Sequence, residues 1–401
     1  MTIPTAVNPL RTLHEQAEAE FAAWDEIEIV TTFGEPQAEY AAVRKSAGMI
    51  DLPQRGVLEV TGRDRFAFLN NLLTNQTYSK SDKAGIAAGQ GVYAFLLNLK
   101  GRLVCDLNVL ERGDRTWLEM DARYVARVAK LFDAYLFSEQ VKTASRVADL
   151  HEVALHGPSA ADLLSQVADR PIELTLPMSS ATHTLLGVET FIWRDDEAGV
   201  PGLHLIVPTD RVAELWTGLL ARFGNSADLG KRALRPIGWA MFNTLRIEAG
   251  RPIFGIDFDG QPIESALPNK ANRDAAADVG PGVLPAETGQ FERAVSITKG
   301  CYLGQEIVAR MHARQQVARQ IVGIRLETDA LPIAGEPIFD EQNNQIGGIT
   351  SSTISPLLSN HAICLGLVKK PFMTPGATVL VPAEGSMRKG LVVALPFMEN
   401  L

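Results

Sequence analysis

One passage of this 401-residue chain concentrates groups that could do chemistry. Residues 295–311 read VSITKGCYLGQEIVARM. Gly300 and Gly304 bracket Cys301 and Tyr302, which lets the backbone turn tightly and approach a ligand. From Gln305 and Glu306 onward the residues read as a helix. Ile307, Val308 and Met311 share one side of it, and Glu306 precedes Arg310 by the four residues of a helical ion pair. Cys301 therefore stands just before a helix N-terminus and two residues after Lys299. Both features favour a thiolate, so an accessible Cys301 is expected to be a nucleophile with a lowered pKa. The bland reading is a small apolar side chain packed at a turn. A couple with His312 fails on distance, since turn and helix carry the imidazole away.

Two more passages set polar side chains among apolar ones. VYAFLLNLKGRLVCDLNVL (92–110) reads as a hairpin turning at Lys100-Gly101. Alternation puts Leu103, Cys105, Leu107 and Val109 on one face and Val104, Asp106 and Asn108 on the other. Cys105 is expected in the core. Asp106 is the polar exception, either an acid–base group or a solvated carboxylate on an open face. TLRIEAGRPIFGIDFD (244–259) reads as a strand and turn, with Arg246 and Glu248 facing the same way. They either form a structural ion pair or bind the polar edges of a ligand.

The elements that must position these groups follow a repeated order. VLEV (57–60), the helix DRFAFLNNLL (64–73), the hairpin, TWLEM (116–120) and a helix capped by Asp121 make a first strand–helix–strand–strand–helix run. HEVALH, PSAADLLSQVA with Pro158 in its first turn, GVETFIW, GLHLIV and a helix capped by Thr209 repeat it over 151–223. This order predicts two α+β units with antiparallel sheets. Beyond residue 319, short strands separated by Gly, Pro, Asn and Ser predict a β-barrel or sandwich. The aperiodic stretch 265–290 reads as a long surface loop.

Composition narrows the class. Hydrophobic residues make up 46% and charged residues 21%, as in a globular protein. A net charge of −9 argues against bulk nucleic-acid binding. Cys105, Cys301 and Cys364 are odd in number and widely spaced, which excludes a disulfide framework or a four-thiolate site built by this chain alone. The seven histidines show no ligand spacing, so no metal is expected. His151 and His156 fall on opposite faces of one strand and read as structural. Nothing in the chain reads as a signal peptide or a membrane span, which predicts a cytoplasmic protein.

KGCYLGQEIVAR resembles the K-G-C-[aromatic or aliphatic]-x-G-Q-E signature of the YgfZ-type folate-binding proteins of iron–sulfur maturation and tRNA modification. TLRIEAGRPIFG resembles a segment which that family shares with the glycine-cleavage T-protein (aminomethyltransferase). KGRLVCD is similar to the T-protein K-G-x-x-x-D segment, with Cys105-Asp106 where two acids usually stand. VRKSAGMIDLPQRGVLEVTGRDRFAFLNNLLTN (43–75) resembles the superfamily's entry segment. The resemblance implies three domains around a folate channel: 1–60 with 145–315, then 61–144, then a C-terminal barrel over 316–401. It implies tetrahydrofolate or a derivative as cofactor, with Tyr93, Asp106, Asn108, Arg246 and Glu248 at the folate. It makes Cys301 the functional thiol, with Lys299, Gly300, Gly304, Gln305, Glu306 and Arg310 around it.

Departures from the T-protein pattern bear on function. Its G-A-R-D-S segment falls on Ala240-Met241-Phe242-Asn243-Thr244, and its pterin-holding acid falls on Val200. These point to an accessory protein for assembly or repair of iron–sulfur enzymes, with those enzymes or cluster-assembly proteins as transient partners. One thiol cannot hold a cluster, so Cys301 would act transiently. The competing reading is a tetrahydrofolate-dependent aminomethyltransferase or demethylase with Asp106 as acid–base. A third is a plain folate-binding module with an inert Cys301.

Overall fold

The computed structural model describes residues 8–224, 232–269, 282–314 and 317–400. The chain divides into two compact units. The first holds the residues up to Arg65, Ile86–Val92 and Leu107–Phe242; the second holds Phe66–Gly85, Tyr93–Asp106 and the residues from Asn243 onward.

Two antiparallel sheets shape the first unit. In the six-stranded sheet the order is Ser180–Leu185, Val188–Arg194, Gly202–Pro208, Leu150–His156, Ala47–Asp51, Leu234–Pro236, and only the last pair is parallel. One face carries Met49, Val153, Leu155, Leu203, Leu205 and Val207. It buries them with Leu215, Trp216 and Leu219 of the Val212–Phe223 helix. The other sheet runs Lys142–Ser145, Arg55–Thr61, Thr116–Asp121, Leu103–Glu111, Gly91–Leu97. Its helix Ala122–Asp133 is capped by Asp121, whose carboxylate accepts from the Arg123 amide, as the sequence predicts. Val57, Leu110 and Trp117 of this sheet meet Phe191, Trp193 and Ile206 of the other, so the two sheets face each other.

The predicted cap at Thr209 is not made. The helix starts at Val212 after Arg211, and Thr209 Oγ1 has no hydrogen-bond partner among the described residues. Pro158 likewise stands ahead of its helix, Ala160–Ser165, rather than in its first turn.

The second unit contains the turn end of the Tyr93–Asp106 hairpin and a closed six-stranded barrel. Ile324, Leu326, Ile338, Val379, Val381 and Val392 fill the barrel. The fold class read from the sequence stands: two α+β sheet layers and a C-terminal barrel. Of the stretch 265–290, Ile263–Ala266 and Pro285–Glu287 are short 3₁₀ turns, and 270–281 lie outside the described residues. No helix among the described residues is long and apolar enough to cross a membrane.

Candidate functional site

The hairpin strand Leu103–Glu111 is buried at every position but Asp106, which is half-buried. Cys105 is in the core at 1% exposure, as the alternation requires. The Tyr93 hydroxyl donates to Asp106 Oδ2 at 2.9 Å. Phe95 meets the Tyr93 ring edge-on, and the Arg293 guanidinium lies over that ring, 4.2 Å from its centroid. Burial, followed by the negative charge of Asp106, pushes the Tyr93 phenol well above its ordinary value, against the pull of Arg293. The phenol is therefore a fixed donor to the carboxylate. A carboxylate so held is aligned, which suits it to take a proton or bind an N–H.

The passage around Cys301 divides into an exposed thiol and a buried lysine. Cys301 is exposed, and the helix Gln305–Arg314 begins four residues later. Gly304 has φ +78°, and a Cβ there would stand 2.5 Å from Asn98 O and 2.9 Å from Gly101 Cα. Only glycine lets the motif close on the hairpin turn. Gly300 has no such positive φ, and a Cβ there would meet Lys80 Nζ at an ordinary 3.4 Å. His312 stacks on Phe291 at 5.3 Å.

Lys299 does not reach for the thiol. Its Nζ donates to the carbonyls of Asn70 at 2.7 Å, Leu73 at 2.5 Å and Asn75 at 2.9 Å. Burial pulls its pKa down to about 7. The three carbonyls oppose that pull, because a neutral amine has only two donors for three acceptors. The helix Arg65–Leu72 ends here, and the ammonium takes up the Asn70 carbonyl of its last turn and the Leu73 and Asn75 carbonyls just beyond it.

Arg246 and Glu248 lie on a helix, Trp239–Glu248, not on a strand. Gly250 at φ +64° ends it, with Gly250 N donating to Ile247 O and Arg251 N to Arg246 O. Two residues apart on a helix, the side chains diverge. Arg246 pairs with Asp257 and donates to Ser351 Oγ at 2.5 Å and Asn243 Oδ1 at 2.9 Å. Glu248 accepts from Ser355 Oγ at 2.5 Å. Both are 0% exposed.

A polar layer that the sequence reading missed lies between the two sheets of the first unit. Glu152, His156, His204 and Trp193 project from one sheet, and Asn108 and Glu119 from the other. His204 Nδ1 is 2.8 Å from Glu152 Oε1, and its ring stacks on Trp193. Asn108 donates to Glu119 Oε2 at 2.7 Å, and Glu119 pairs with Arg55. Burial, then the charge of Glu119, raises Glu152 to about 7. Burial acts to lower His204, yet it rises to about 9, because the Glu152 bond and charge together with the charges of Glu197 and Asp195 outweigh that pull. His156, against Phe242 at 5.1 Å, is held down to about 3 by burial and then by the His204 charge. Glu152 Oε2, His204 Nε2, both His156 nitrogens, Trp193 Nε1 and Asn108 Oδ1 have no hydrogen-bond partner among the described residues. The sequence signal was present: Glu152 and His156 interrupt an apolar strand at even spacing, as does His204 in GLHLIV.

His151 belongs elsewhere. With His14 it flanks the buried Asp51, at 2.6 and 2.8 Å, and Asn8 donates to the same carboxylate at 2.7 Å. This is a structural tie from the first helix to the sheet. Among the described residues no group of three or more His, Cys, Asp or Glu is placed to hold a metal.

Comparison with known proteins fits this architecture. Residues 10–269 match the GCVT N-terminal domain and residues 319–399 the glycine cleavage T-protein C-terminal barrel domain. The probable aminomethyltransferase of Natronomonas pharaonis is 29% identical, over 98% of each chain. The aminomethyltransferase of Thermoanaerobacter sp. (strain X514) is 25% identical, over 95% of this chain and 93% of its own. The crystal structure of glycine cleavage system aminomethyltransferase T from Bartonella henselae superposes with a TM-score of 0.80 at 23% identity, covering 97% of both chains, which is a likeness of fold. The sheets, the barrel and both domain matches together assign this chain to the glycine cleavage T-protein family.

Proposed function

We propose that the chain binds a reduced folate and handles a one-carbon group there, as an aminomethyltransferase-type protein with Asp106 as the acid–base. The observation that carries this reading is the Asp106 carboxylate, half-buried and aligned by the Tyr93 hydroxyl at 2.9 Å. The donor set fits a reduced pterin, whose ring nitrogens offer protons to a carboxylate. Bound there, the folate would supply the nitrogen that receives the carbon unit. Asp106 would hold that nitrogen's proton and give or take it during transfer, while Tyr93 keeps the carboxylate in register. Arg246 and Glu248 contribute through the fold, since both are fully buried on partners within it.

Tetrahydrofolate titration by calorimetry, with single-turnover transfer of a methylene group, tests this. Asp106→Asn is expected to slow transfer by about 100-fold or more while changing the dissociation constant much less. Wild type that does not bind tetrahydrofolate, or an Asp106→Asn variant of full activity, would refute the reading.

One observation favours a second reading. Cys301 is exposed within KGCYLGQE, the segment that resembles the YgfZ-type signature. Phe242 and Asn243, where the T-protein pattern has Arg and Asp, serve an aromatic contact with His156 and the Arg246 network. On this reading the folate protein supports iron–sulfur enzymes through the thiol. Cys301→Ser would then abolish protection of a client's cluster and leave folate binding intact. Unchanged protection would exclude it.

A further inference from the structure

Lys299 sits at the meeting point of the segments that hold Tyr93. The residues 70–75 leave the end of the Arg65–Leu72 helix and run between the hairpin and the 293–303 passage. Thr74 links the two sides: its N donates to Phe95 O at 3.0 Å, its Oγ1 donates to Ala294 O at 2.7 Å and accepts from Phe95 N at 2.8 Å. Asn75 links them again. Its Nδ2 donates to Tyr93 O at 2.9 Å and to Arg293 O at 3.0 Å, and its Oδ1 accepts from Gln76 N at 2.8 Å. Tyr93 and Arg293 are the residues whose ring and guanidinium meet beside Asp106. The backbone of this linking segment is itself fastened at three carbonyls by one side chain, Lys299 Nζ.

We propose that Lys299 is the positioning residue of the Asp106 site, acting through the 70–75 segment and Asn75 on Tyr93. The proposal rests on the reading of Asp106 as the acid–base group. It separates the two halves of the Lys-Gly-Cys sequence, the lysine serving the carboxylate and the cysteine facing solvent. Three features support it. The ammonium is 6% exposed, so it acts inside the protein. Its three donors are matched by three carbonyls, which leaves none for the thiol. The carbonyls belong to one stretch of six residues whose side chains hold both partners of the Tyr93 ring contact.

The test uses the full chain with ¹³Cζ-labelled tyrosine, the Tyr93 signal being assigned by Tyr93→Phe. In the wild type Tyr93 stays un-ionised at about pH 10, where an exposed tyrosine is half ionised. In Lys299→Met the loosened segment is expected to admit water to the Tyr93 phenol and release it from Asp106, and its titration moves down towards the ordinary range. Asn75→Ala, which keeps the buried ammonium, is expected to move it the same way and remains informative should Lys299→Met fail to fold. A Tyr93 signal that stays un-ionised in Asn75→Ala and in any folded Lys299→Met would overturn the proposal. Tetrahydrofolate affinity supplies the second readout. Lys299→Met and Asp106→Asn are each expected to weaken binding by about tenfold, and the double variant by little more than either alone. Fully multiplicative losses mean a merely structural lysine and overturn it. A wild type that binds no tetrahydrofolate would remove the functional reading, while the Tyr93 titration would still decide the link from Lys299 to Tyr93.

Discussion

Arg246 and Glu152 are equally far from water, at 0% and 3% exposure, yet their surroundings are finished in opposite ways. Around Arg246, Nε has Asn243 Oδ1, Nη2 has Ser351 Oγ, and Nη1 has Asp257 with the Arg251 carbonyl. Asp257 also accepts from Ile253 N at 2.9 Å, Thr350 at 2.6 Å and Ser351 at 2.7 Å. Around Glu152 a single bond to His204 serves the carboxylate, and six polar atoms of the layer have no partner among the described residues. Each such atom costs about 1–3 kcal/mol in a buried place. A saturated cluster anchors a helix to a barrel strand. An unsaturated one keeps a capacity for protons or ligand edges that its fold sustains at a cost. Hydrogen-bond saturation separates the two, since burial and charge are shared.

The largest effect should come from breaking the saturated cluster. Arg246→Met leaves Asp257 buried without its cation and is expected to cost about 3–5 kcal/mol in urea denaturation. A loss below about 1 kcal/mol would show that the neighbouring hydroxyls suffice and would erase the contrast.

The next effect concerns pH. His156 has a folded pKa of about 3, below its ordinary 6.5, so folding favours its neutral form. The stability it contributes is complete above about pH 6.5. It is lost as pH falls towards about 3, at roughly 1.4 kcal/mol per pH unit. His156→Gln should flatten this part of the profile, and a superimposable profile would show that another group carries it. His204 has the opposite sign. Its raised pKa gives stability that is complete below about 6.5 and fades as pH rises through about 9.

The smallest expected effect is at Glu152. Replacing it with Gln removes one charge from a layer that also holds Glu119, so stability at neutral pH should change by only about 1 kcal/mol. The His204 imidazole should then titrate well below about 9 in ¹⁵N spectra. A His204 that keeps its high value would assign its proton to Glu197 or Asp195 instead.

Much of the fold was readable because it depends on short-range periods. Alternation along 103–110 placed Cys105 inside and Asp106 on the other face, and Asp121 announced its helix. Two local signals point away from the fold. The alternation of Arg246 and Glu248 in TLRIEAG predicts a strand, whereas Gly250 marks the stop of a helix whose Phe242 and Leu245 are three apart. Closeness in sequence pairs Lys299 with Cys301, whereas the three carbonyls it meets come from residues more than 220 positions earlier.

Residue order alone specifies the elements and their faces: two α+β runs, a barrel, a hairpin presenting Asp106, and a glycine at 304 that permits a close turn. Residue spacing suffices for these, since period and turn chemistry act over a few residues. What each buried charge meets is set by long-range packing. Glu152 finds His204 across paired strands 52 residues apart, and Arg246 finds Ser351 at 105. No local period encodes such pairings, because strand register and packing choose the partner after the faces are set.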